Sequence, residues 1–101
     1  MKLISIFSVR PTEELFVIER VARQAAKLRA KQEIERVWPD WRQRNIALGL
    51  MTNDDKEACI AHIQAQVAKE NLLSATINAI MASDKSEQEK RQDLFNLEWP
   101  T

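Results

Sequence analysis

Two long stretches of this chain repeat apolar residues every third or fourth position, the period of one helical face. In the first, Leu15, Ile18, Val21, Ala22, Ala25 and Leu28 fall in line, and Ile34, Val37 and Trp38 carry the line up to Pro39. In the second, Ile60, Ile63, Val67, Leu73, Ile77, Ile80 and Met81 recur at the same spacing, interrupted by Glu70, Asn71 and Ser74. The spacing predicts helices over about residues 12–37 and 53–82. Between them Pro39 must start a new element, because proline breaks a helix interior. Gly49, the one glycine of the chain, offers the left-handed conformation that ends a helix. A short helix over Asp40–Leu48 is therefore expected inside a corner spanning residues 38–52.

The ends of these elements carry their own chemistry. Thr12 can cap the first helix, with Glu13 and Glu14 in its positive first turn. Thr52, followed by Asn53, Asp54 and Asp55, is a helix start of the same kind. Ser83-Asp84-Lys85-Ser86 breaks the second long helix, and Ser86 with Glu89 has the spacing of a capping box for a short terminal helix. The opening run Leu3–Val9 is β-branched and aromatic and is stopped by Arg10-Pro11, so it reads as a strand or extended arm. No second strand candidate follows it. The arm must pack on a helix or join a sheet supplied by another chain.

The 101 residues thus read as one all-α domain: an extended arm (1–11), a long αα-hairpin (12–82) and a C-terminal helix or tail (83–101). Two helices bury a single seam, too little for this much apolar surface and three tryptophans. Self-association or a permanent partner is the expected outcome. The polar stretch before Leu94, Phe95, Leu97 and Trp99 makes the tail look like a detachable hook. The alternative is a monomeric three- or four-helix bundle closed by that same tail.

Charge adds a polarity. Residues 1–51 hold ten Lys and Arg against six acids, and residues 52–101 hold five against nine, so a net of +4 faces a net of −4. The halves can pair within one chain or between subunits. Arg20, Arg23, Lys27, Arg29 and Lys31 form an acid-free run suited to phosphate. Without a recognition helix and its turn, a solvated face is the favoured reading and nucleic acid is not expected as a partner. No apolar run reaches the length of a membrane span, and the N-terminus lacks the cleavage site of a secretory signal.

Candidate chemistry is sparse. Cys59 and His62 share a helical face, but zinc requires at least three protein ligands and no second cluster exists. No orienting group completes them as a nucleophile pair. Asp54, Asp55 and Glu57 sit in a first turn, where the helix dipole accounts for them. One glycine cannot make a phosphate-cradling loop. No catalytic residue, metal or cofactor is expected. Trp and Arg together are enriched where proteins bind one another. The expected partner-binding residues are Trp38, Trp41, Arg42, Gln43, Arg44 and Asn45 at the corner, with Phe7, Phe95 and Trp99 on the terminal segments.

The string Trp38-Pro39-Asp40-Trp41-Arg42-Gln43-Arg44-Asn45, followed by a helix with Asn71 and spaced isoleucines, resembles small helical proteins and C-terminal segments from tail modules of tailed bacteriophages. Those commonly carry a Pro-x-Trp-Lys/Arg-Gln-x-Asn string before such a helix. The opening Arg10-Pro11-Thr12-Glu13-Glu14 also resembles the start of such tail proteins, whereas Leu94–Trp99 has no counterpart in them. The resemblance implies a non-enzymatic virion component, made in the host cytoplasm and placed in the tail. It would bridge other tail or fibre proteins through helix packing. An effector that inhibits a host protein, or a tail assembly chaperone, are the alternatives.

Overall fold

The computed structural model describes residues 2–101, and its elements are α1 (Leu15–Val37), α2 (Asp40–Ala47), α3 (Asn53–Ala82) and α4 (Glu87–Phe95), preceded by a short 3-10 turn (Leu3–Ile6). Among the described residues there is no strand, only an isolated antiparallel bridge between Lys2 and Glu98. The chain is all-helical, and α1 and α3 form the expected antiparallel hairpin. Its dimensions, 53 × 24 × 19 Å, follow from those two rods.

Polar capping sets the element ends. The Thr52 hydroxyl accepts the Asp55 amide at 3.1 Å, and Ser86 accepts the Glu89 amide at 3.2 Å. Thr52→Ala should cost about 1 kcal/mol in thermal or chemical unfolding, the usual worth of such a cap. Gly49 adopts φ +73°, and the Leu50 amide bonds the Asn45 carbonyl at 2.9 Å to close α2. Helix α1 starts at Leu15 rather than Thr12, because Arg10–Glu13 closes a turn of its own through a 3.0 Å backbone bond.

The terminal segments correct two expectations. The arm is no strand: Leu3–Ile6 winds into a 3-10 turn with extended backbone at Phe7 after it, and Met1 lies outside the described residues. Leu3 and Ile4 are buried against α1 and α4 in the 3-10 turn, which satisfies its own amides locally (Ser5 to the Lys2 carbonyl, Phe7 to the Ile4 carbonyl). The Leu3 amide donates to the Leu97 carbonyl at 2.7 Å. The tail is no hook either: Leu94 and Leu97 sit in the core with Ile18, Ala22, Leu73 and Ile77. Arg91 Nε, donating to the Glu13 carbonyl at 2.9 Å, ties α4 to the start of α1. At this end, then, the molecule is the bundle closed by its own tail.

Helix α3 buries Leu73 and Ile77 and packs Ile80 and Met81 on the core as its spacing predicts, but its first half turns a different side inward. Its buried line is Cys59, Gln66, Leu73 and Ile77, while Ile60 and Val67 stay exposed. On α1 the facing line is Ala22, Ala25, Ala26 and Ala30. Alanines let two backbones approach closely, so the narrow seam favours the residues pointing straight across and leaves those a third of a turn away outside. Arg23 bonded to Asn78 (2.7 Å) and His62 bonded to the Glu33 carbonyl (3.0 Å) fix the register.

Candidate partner-binding surface

The corner is built around a buried indole. Trp38 is 5% exposed and is the residue at which α1 ends. The last carbonyls of a helix lack intrahelical donors, and the residues after Pro39 supply them. Arg42 donates to the Val37 carbonyl at 2.9 Å, and its guanidinium lies over the Trp38 ring, 4.0 Å from the centroid. The Gln43 side-chain amide donates to the Trp38 carbonyl. Three of the expected contact residues, Trp38, Arg42 and Gln43, are therefore committed internally. Asn45 is half-buried and uses its carbonyl to close α2.

What the corner offers outward is Trp41, 60% exposed, with Arg44 exposed beside it on the same helix. Leu48 and Leu50 flank Gly49 in the open, and Ile60 and Val67 are exposed on α3. Sequence reading passed over the two leucines, although apolar residues on both sides of a turn glycine are themselves a signal of uncovered surface. Behind α2, a groove of about 340 Å³ is lined by Ala30, Ile34 and Val67, with Lys27, Lys31 and Glu70 at its edges.

Phe7, Phe95 and Trp99 do not join this surface. They are half-buried against the terminal core, at the other end of α1, about 34 Å of helix away. Their aromatic area mostly closes the bundle.

The basic run is largely neutralised along its own helix. Arg23 pairs with Glu19 at 2.9 Å, Arg29 with Glu33 at 3.1 Å and Lys31 with Glu35 at 3.9 Å. The Arg36 hydrogen bond, helped by the charges of Arg36 and Arg29, holds the Glu33 carboxyl below its ordinary value of 4.5. His62 is tied to the backbone of α1, Cys59 is buried, and no group of three metal-ligating side chains occurs among the described residues. No helix among the described residues is long and apolar enough to cross a membrane. Compared with known proteins, the chain matches no family model, no curated protein and no solved structure.

Proposed function

We propose that this chain is a non-enzymatic structural subunit, a small tail or tail-fibre-associated component of a bacteriophage particle, which bridges other subunits by helix packing. The observation that carries the binding role is the uncovered apolar end: Trp41, Leu48 and Leu50 are each at least 60% exposed while the opposite end of the molecule is closed. Large apolar side chains clustered in the open mark interaction sites, and Trp beside Arg is the composition of binding hot spots. The tail assignment rests on the Pro39–Asn45 string and its resemblance to tail-module proteins.

Purified particles test this reading. A stoichiometric band of the chain in mature virions supports it, and absence from virions moves the reading to an assembly chaperone or a host-directed effector. Replacing Trp41 and Arg44 together by alanine should reduce incorporation at least tenfold, the loss expected when hot-spot side chains are truncated. The helical circular dichroism of the isolated double variant should be unchanged.

A further inference from the structure

Helix α3 carries a second repeat on the side facing away from α1. Counting in alternating steps of three and four from Ala58 to Ala82 meets alanine at every stop except Leu72, and every stop is exposed. Alternation of three and four is the heptad seam of a helix that packs on another helix. Over these 25 residues the only charges are Lys69 and Glu70, in a chain that is 30% charged. Glu70 belongs to the groove behind α2, on a different side of the helix. One margin of the face next to the stops carries Gln64 and Asn71, whose amides both donate and accept, while Asn78 beyond them accepts from Arg23 of α1. Leu72 stands 58% exposed in the middle.

We propose that this face pairs with the same face of a second copy, antiparallel, about a twofold axis level with residue 70. This deepens the subunit-bridging reading by naming one partner as the chain itself. The repeat closes on itself in that register: Ala58 meets Ala82 of the second copy, Ala65 meets Ala75, and Ala68 meets Leu72. A parallel pair would set Leu72 against Leu72, propping the helices apart where every other layer is alanine and needs close approach. Antiparallel pairing seats each leucine over an alanine and keeps the spacing even.

Charge and area favour the same occupant. A face whose stops carry no charge and whose border holds only Lys69 tolerates its own image, whereas a highly charged partner would leave most of its charges unpaired there; charge depletion is the mark of interface centres. A helix face about 37 Å long, covered on both copies, buries on the order of 1,000 Å², the low end for a specific interface. The pair is accordingly a reversible one, forming at roughly tens of micromolar. Lys69 meets its counterpart close to the axis, so raising the salt concentration, or Lys69→Gln, should tighten the pair a few-fold by removing like-charge repulsion.

Sedimentation equilibrium of the full chain from about ten to several hundred micromolar is the test. Wild-type should shift from monomer to dimer, and Ala68→Glu should raise the dissociation constant at least about tenfold by burying a charge in the seam. Because residue 68 is exposed and glutamate is a good helix former, its circular dichroism and melting curve should not change. Mixing Ala65→Cys with Ala75→Cys under oxidation should link the two variants faster than either links to itself. A wild-type chain that stays monomeric throughout, a dimer that survives Ala68→Glu, or preferential Ala65→Cys self-linking would overturn the proposal. A monomer that still enters virions would leave the structural-subunit reading standing and remove only the pairing.

Discussion

Removing residues 94–101 should unfold the entire chain rather than trim it. Leu94 is fully buried and Leu97 nearly so, and both pack on the cluster that joins α1, α3 and the 3-10 turn. The deletion also strands the Leu3 amide, which donates to the Leu97 carbonyl at 2.7 Å. Truncating one buried leucine to alanine already costs about 2–5 kcal/mol. A domain of this size has roughly 5–15 kcal/mol in total, and a thin one sits near the bottom of that range. Two buried leucines, a lost backbone bond and the uncovering of Leu3 and Ile4 together exceed that reserve. Far-ultraviolet circular dichroism should show most of the helical signal gone at room temperature. The milder Leu94→Ala should keep the fold and lower the midpoint of denaturant unfolding without changing its slope. A deletion variant with full helical signal and a cooperative melt would show the α1–α3 hairpin to be self-sufficient.

That outcome matters because the tail read as detachable from sequence. The polar residues Glu87–Asp93 seemed to separate Leu94 from the rest, but they are the solvated sides of α4, and the helix brings Leu94 and the residues after it back onto α1. Where local chemistry decides, the sequence was legible. Thr52 and Ser86 cap α3 and α4 where expected, and Pro39 and Gly49 bracket α2. Where tertiary competition decides, it was not. Leu3–Ile6 has the side chains of a strand, yet β-preference depends on what the residue packs against, and a tight turn placed Leu3 and Ile4 in the core without a strand partner. On α3, apolar residues occupy several sides, so periodicity alone could not choose between Ile60 with Val67 and Cys59 with Gln66 in its first half. The alanines of α1 made that choice. The polar interruption assigned to Glu70, Asn71 and Ser74 likewise lies elsewhere: Gln66 is the buried polar side chain of the seam. At the corner, Arg42 and Gln43 were counted as free hydrogen-bonding groups, yet both donate to carbonyls at the end of α1. Asking where the final carbonyls of α1 find donors would have assigned both inward.

The two corner tryptophans should respond oppositely to the same substitution, and the contrast separates folding from binding. Trp38→Ala removes an indole that is 5% exposed. Such truncations cost about 3–5 kcal/mol. The variant also frees Arg42, whose guanidinium lies 4.0 Å from the Trp38 ring centroid, at a further cost of about 0.5–1 kcal/mol. At roughly 4–8 °C per kcal/mol for a domain this small, the melting temperature should fall by more than about 12 °C. Trp41→Ala removes a ring that is 60% exposed, and exposed substitutions stay within about 0.5 kcal/mol. Its melting curve should therefore overlay the wild-type curve while assembly with partner subunits weakens. The two rings, three positions apart, differ because Trp38 ends α1 whereas Trp41 lies in the first turn of α2, beyond the break at Pro39, where it is exposed. Equal destabilisation by both substitutions would mean that Trp41 is part of the fold, and the proposed binding role of the exposed corner would lose the side chain on which it chiefly rests.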